Sequence, residues 1–208
     1  MTRTARRQGP WSGLDNTILV ILLALMILGV ALSFAASPAV SGAVDPWYYL
    51  KRQIGFAAVS LVVIAVTAAL SPTGVRRMSG LALLVSFVLL IAVVVIGHDV
   101  NGATRWIRVG GFSIQPSEIL KPAFVVFIAW LFAQEDRGAP APGRLIALAL
   151  YLLAAGLLML QPDFGQTVLI SLVFGALLWA SGLSWKHTAA LAGLGAAGAG
   201  GAAVLFPH

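Results

Sequence analysis

The chain has 208 residues, 60% of them hydrophobic and only 10% charged, a balance that places it among integral membrane proteins rather than soluble domains. Its net charge of +6 is scattered over loops with no dense stripe, which argues against a nucleic-acid partner, and the absence of cysteine excludes disulfides, thiol nucleophiles and thiolate metal sites. The apolar runs lack the period-two alternation of a transmembrane barrel, so the fold class expected is all-α, a polytopic helical membrane protein forming a single membrane domain over residues 1–208.

Taken in order, Arg3, Arg6 and Arg7 precede an apolar run over about 16–37. That run is longer than the roughly 7–15 residues of a signal-peptide core and reads as a first span held by its basic flank. Six further spans are predicted at about 54–70, 81–96, 116–132, 145–161, 166–181 and 187–206, seven in all. With the N-terminus cytoplasmic, eight cations fall inside (Arg3, Arg6, Arg7, Arg76, Arg77, Arg137, Arg144, Lys186) against four outside (Lys51, Arg52, Arg105, Arg108), as the positive-inside rule requires. Tryptophans such as Trp106, Trp130 and Trp179 fall near span ends, where aromatics anchor at the interface. The segment Gln134 to Arg144 reads as a simple Pro-rich connector, and the small residues of LAGLGAAGAGGAA as a close-packing helix face.

Two polar islands interrupt the hydrocarbon. The first, NGATRWIRVGGFSIQPSEILK, runs from Asn101 to Lys121. Asn101-Gly102 and Gly110-Gly111 are turn pairs, and Arg105-Trp106-Ile107-Arg108 between them alternates charge with apolar bulk, as a short strand or surface loop does. A helix then restarts, with Gln115 as cap, Pro116 at its first position, and Ile114 and Ile119 placed to form a hydrophobic staple. Glu118 and Lys121, three apart, share a face and can pair, while Pro122 withholds an N–H and weakens the helix beside them. Ionisable groups at membrane depth are costly unless paired or hydrated, so this cluster is either an internal salt bridge or a functional site. In the second reading Arg105 and Arg108 form a cationic rim for a phosphate or diphosphate, which guanidinium groups grip bidentately; nonspecific attraction to lipid phosphates competes with it. Ser117 and Lys121 at i, i+4 have the spacing of a serine–lysine pair, but no oxyanion motif accompanies them.

The second island is Gln161-Pro162-Asp163-Phe164-Gly165-Gln166. The apolar stretch around it is too long for one crossing, so the chain turns back here, with Pro162 and Gly165 marking the turn. Asp163 either caps the following helix or serves as charge partner, metal or phosphate organiser, or general base near Glu118 and Lys121. His98, His187 and His208 are isolated, and no metal site is expected.

Together these islands resemble the SEDS family (shape, elongation, division, sporulation) of bacterial peptidoglycan glycosyltransferases. The elements N-G-A-x-R-W-I, G-F-S-x-Q-P-S-E-x-x-K and Q-P-D-x-G occur here in the family's order, and QPSEILKPAFVVFIAWLFA with QPDFGQTVLISLVFGALLWASG looks like its FtsW-type cell-division branch. The resemblance implies a fold of about ten spans, of which this chain would hold the N-terminal portion. It also implies polymerisation of lipid II, the undecaprenyl-diphosphate-linked disaccharide pentapeptide, at the septum of the inner membrane. Arg105, Glu118, Lys121 and Asp163 match the family's polar cavity, and the aspartate regarded as catalytic base is expected beyond His208, so that this chain alone would be inactive. A class B penicillin-binding protein is the partner implied; no organic cofactor is expected, with a divalent cation left open. Two other functions share the same residues: lipid flippase or transporter, and non-enzymatic division scaffold.

Overall fold

The computed structural model describes residues 15–40, 47–100, 103–109, 112–184 and 186, with side chains described except at 36–40, 98–100, 103–104, 108–109 and 112. Within these residues the order is α1 (Asn16–Val40), α2 (Tyr48–Ala69), α3 (Pro72–Ile96), β1 (His98–Val100), β2 (Ala103–Val109), β3 (Phe112–Ile114), α4 (Pro116–Asp136), α5 (Gly143–Leu160) and α6 (Phe164–Ala180). The helices α1 to α5 are long and apolar enough to cross a membrane, and α6 is a shorter apolar helix. This is a multi-pass helical membrane protein carrying one small sheet. The seventh predicted span, the small-residue face within it and both glycine turn pairs lie outside the described residues.

Chain contacts divide the protein into two compact units, residues 1–73 and 74–208. In the first, α1 starts where the apolar run starts because Asp15 caps it: its Oδ1 accepts the backbone N–H of Thr17 at 2.7 Å and of Ile18 at 3.4 Å. Those two N–H donors hold the Asp15 carboxyl below its usual range. The helices α1 and α2 meet at Gly29, where an added Cβ would stand 3.3 Å from Gln53 Nε2. Phe34 stacks on Trp47 at 5.4 Å.

The second unit packs α3 to α6 around one core. Leu83, Phe87 and Leu90 of α3 join Leu120, Phe124, Ile128 and Phe132 of α4, Ala154 and Leu158 of α5, and Ile170 and Phe174 of α6. Their spacing in each helix is that of a single buried stripe, with the remaining large apolar side chains facing outward as a lipid-facing surface would. Tyr151 lies flat on Phe174 at 4.5 Å and its hydroxyl meets Ser171 Oγ at 2.8 Å, so the phenol's polar tip is satisfied inside the apolar bundle.

Two expectations need correction. The second and third helices begin at Tyr48 and Pro72, well before the predicted 54 and 81, because Lys51, Arg52, Arg76 and Arg77 continue the helix past the apolar run. Arg52 shows how: it donates to the Tyr48 hydroxyl at 3.2 Å and lies 5.6 Å over the Phe56 ring. Trp130, near the end of α4, packs against the core beside Phe127 at 5.3 Å. The connector between α4 and α5 is also no slack loop. Arg144 closes it with its backbone N–H on Glu135 Oε2 (2.6 Å), Nη1 on Glu135 Oε1 (2.8 Å) and Nη2 on Asp136 Oδ1 (2.6 Å).

At the other end of α5, Gln161 is 2% exposed and donates through Nε2 to the Leu90 carbonyl of α3 at 2.9 Å. This one amide fixes the α5–α6 turn against α3. Gln161→Leu should lower unfolding free energy by about 1–3 kcal/mol, the cost of leaving a buried polar group without its partner. A thermal or denaturant melt in detergent that matches the unaltered protein would contradict this.

Candidate functional site

The site grows from the ends of α4 and α6 and from β2. The strands form an antiparallel meander in the order β1-β2-β3, with Ile107 opposite Ile114 and Arg108 opposite Ser113. The alternation in Arg105-Trp106-Ile107-Arg108 is thus that of a true strand, as the sequence suggested. The sheet brings Arg105 to a turn 57 residues further along the chain: its Nη2 donates to the Pro162 carbonyl at 2.6 Å, and its Nε lies 3.8 Å from Asp163 Oδ2. The Arg108 side chain lies outside the described residues.

Asp163 combines two of the roles weighed for it, cap and charge partner. It is the N-cap of α6, accepting the Gln166 N–H through Oδ1 at 3.5 Å, and it faces Arg105 through Oδ2 while only 4% exposed. Its backbone carbonyl accepts from Thr167 Oγ1 at 2.9 Å, which secures the first turn of α6. The turn occupies Gln161 to Asp163. Gly165, expected to mark it, lies inside α6 with open space around its Cβ position, so a helix that starts one residue after the cap has absorbed it.

On α4, Gln115 holds the N-cap position without a side-chain cap bond; Pro116 at the first position has no N–H, which removes one of the donors a cap serves. Lys121 Nζ pairs with both carboxylate oxygens of Glu118 at 2.8 Å, and the pair is open: 53% of the Glu118 side chain is exposed. Pro122 does not interrupt α4, which continues to Asp136. Lys121 turns to Glu118, and Ser117 Oγ is buried without a partner, so no serine–lysine pair forms.

One residue absent from the sequence-derived set joins the two carboxylates. Gln166 offers its backbone N–H to Asp163 and its side-chain Nε2 to Glu118 Oε1 at 3.3 Å. Its signal was in the sequence: Asp163-Phe-Gly-Gln166 has the spacing of a capping box, whose Gln ordinarily reaches back to the cap. Here it reaches across to α4 instead. Arg105, Asp163, Gln166, Glu118 and Lys121 consequently form one connected polar chain. Within it, Arg105 Nε and Asp163 Oδ2 are enclosed and face each other as an ion pair at 3.8 Å, while Gln166 Oε1 is enclosed without a hydrogen-bond partner, at a cost of about 1–3 kcal/mol. The positive charge an anionic ligand can meet here comes from the Arg105 guanidinium and the Lys121 ammonium. Among the described residues no group of three or more His, Cys, Asp or Glu side chains converges on a common point.

The profile of a family described as cell cycle protein, FtsW/RodA/SpoVE, matches residues 15–206. The chain belongs to this family. Relatives include a protein of Caulobacter vibrioides named probable peptidoglycan glycosyltransferase FtsW, 41% identical over 201 residues, covering 95% of this chain and 52% of that protein. A Saccharophagus degradans protein of the same name is 35% identical over 92% of this chain and 49% of its own length. Among solved structures, Thermus thermophilus rod shape determining protein RodA superposes with a TM-score of 0.68 at 27% identity, over 94% of this chain and 60% of that one. A chain of a peptidoglycan synthase complex gives 0.65 at 26%, over 85% and 50%. This FtsW/RodA/SpoVE member spans about half the length of the curated relatives it matches. The polar chain from Arg105 to Lys121 lies wholly within the matched span.

Proposed function

We propose that this FtsW/RodA/SpoVE member is the substrate-holding part of a peptidoglycan glycosyltransferase that polymerises lipid II during septal wall synthesis. The observation that carries the reading is the linked site itself, two cations held in place by two carboxylates through Gln166. Arg105 and Lys121 supply the positive charge that a lipid diphosphate needs, first on binding and then as leaving group. In the transfer, an acceptor sugar hydroxyl bonds to the donor's anomeric carbon, the bond from that carbon to the diphosphate oxygen breaks, and the hydroxyl proton passes to a base. Asp163, capping α6 and facing Arg105, orients the cation and is not assigned the base. The names of the relatives support the same chemistry.

The N-terminus is assigned to the cytoplasm of the bacterial inner membrane by the distribution of Lys and Arg, which puts the sheet and its site on the outer face. The proposed partner is a class B penicillin-binding protein, in keeping with the synthase complex to which one structural neighbour belongs. No organic cofactor is invoked, and a divalent cation enters only as companion to the diphosphate. The test is lipid II supplied to the purified full-length protein with its cognate transpeptidase, with and without EDTA, and glycan chains read on a gel. Chains are expected. Headgroup translocation in liposomes without chains would replace this reading by transport, and neither by scaffolding.

A further inference from the structure

We propose that Gln161 is a positioning residue for Arg105: by tying the α5–α6 turn to α3, it sets where the guanidinium meets an anionic headgroup. The inference rests on the diphosphate-bearing substrate proposed above and adds to that site a residue that does not touch the ligand. Arg105 reaches the site from β2 and is braced there by successive residues of one turn. Its Nη2 donates to the Pro162 carbonyl at 2.6 Å, and its Nε lies 3.8 Å from Asp163 Oδ2. With 37% of the side chain exposed, the rest of the guanidinium is open to a ligand. Where that turn goes, the cation goes with it.

The turn does not hold its shape by local preference. Pro162 has a φ of +26°, in the left-handed region and far from the value of about −65° that its ring favours, and such a conformation persists only where surrounding bonds over-determine it. Two of those bonds are local: the backbone N–H groups of Gln161 and Asp163 both donate to the Leu158 carbonyl, at 3.2 and 3.0 Å, and secure the turn to the end of α5. The third is the buried Gln161 amide, whose Nε2 reaches the Leu90 carbonyl of α3 at 2.9 Å across 71 residues of sequence. Of the three, this bond alone comes from another helix. Without it the turn is free to relax toward the ordinary proline φ, which carries the Pro162 carbonyl off Arg105 Nη2. A neutral amide suits the task, since it supplies a donor without setting a further charge beside the Arg105–Asp163 pair.

A double-mutant cycle on the full-length protein in nanodiscs tests this, with binding of undecaprenyl diphosphate read well below the melting temperature of every variant. Gln161→Leu is expected to weaken binding about tenfold, as displacement of one charged donor does, and Arg105→Ala by at least as much. In the Arg105→Ala background, Gln161→Leu should weaken binding by no more than about twofold, because the group it positions is gone. A merely structural role gives a different pattern, in which a loosened or partly unfolded protein loses binding by the same factor in either background. Additive losses would therefore overturn the proposal, as would unchanged binding in Gln161→Leu. If Gln161→Leu does not fold, Gln161→Asn takes its place in the cycle with the same expectations. Its amide is one methylene shorter, so it either releases Leu90 or draws the turn toward α3, and both displace the Pro162 carbonyl. Should the unaltered protein not bind the lipid, the substrate class fails and the inference with it, an outcome distinguishable from additive losses.

Discussion

Glu118→Gln and Lys121→Met, each in the full-length protein, are expected to lower glycan polymerisation at least about a hundredfold while leaving the melting temperature nearly unchanged. The first half of that expectation follows from chemistry: Lys121→Met removes a preorganised positive charge from a developing leaving group, which typically costs 10²–10³ in rate, and Glu118→Gln loses the carboxylate that holds the Lys121 ammonium in place. The second half follows from exposure. With the Glu118 side chain 53% and the Lys121 side chain 27% exposed, the ion pair contributes about 0–1 kcal/mol to folding. A purely structural salt bridge would invert the pattern, with a modest loss of stability and normal polymer. The exchange Glu118→Lys with Lys121→Glu separates the readings further, since it retains the pair and misplaces both charges. Recovery of activity in that double variant would sink the substrate-binding role.

The largest expected effect on stability is at Gly143, the first residue of α5. An added Cβ would overlap the Leu131 carbonyl oxygen of α4 and stand 2.9 Å from its carbonyl carbon, and backbone cannot rotate out of the way as a side chain can. Gly143→Ala should therefore destabilise by about 3 kcal/mol, toward the upper end of overpacking costs, by prising α4 from α5 next to the Arg144 clasp. Gly156→Ala in the same helix is the control. Nothing lies within 4 Å of its Cβ position, so the usual preference of a helix for alanine over glycine should leave the protein unchanged or about 0.5–1 kcal/mol more stable. Equal melting temperatures for the two variants would refute the close-approach argument.

Much of the bundle was legible because hydrophobicity alone determines which segments enter a bilayer. The starts of α1 and α4 fall where the apolar run and Pro116 placed them, and β2 where charge alternated with apolar bulk. The starts of α2 and α3 were misjudged because hydropathy measures the apolar run, whereas a helix continues as long as its backbone bonds do, with Lys and Arg trailing toward the interface. At the site, Glu118 with Lys121 was readable from i, i+3 spacing, since both ends of the pair are local. The contact of Arg105 with the Pro162-Asp163 turn joins residues far apart in sequence, and residue types suggested only that they might share a face. Gln166 was overlooked for a different reason: a capping-box glutamine is expected to spend its side chain on its own helix, and only the neighbouring helix end reveals the other choice. Arg144 was overlooked because a Pro-rich connector gives no sign that one guanidinium will bind both acidic residues before it.

The hydrophobic windows of α1 and α2 have none of their residues buried, in contrast with 44% of the window in α4. Within the described residues these two helices therefore bury little of their apolar surface, and as apolar spans they are subject to bilayer thickness. Extraction conditions consequently become a structural variable. A short-chain detergent that leaves the α3–α6 core intact can alter the tilt and pairing of α1 and α2, so work on this protein belongs in nanodiscs whose hydrocarbon thickness matches the native membrane.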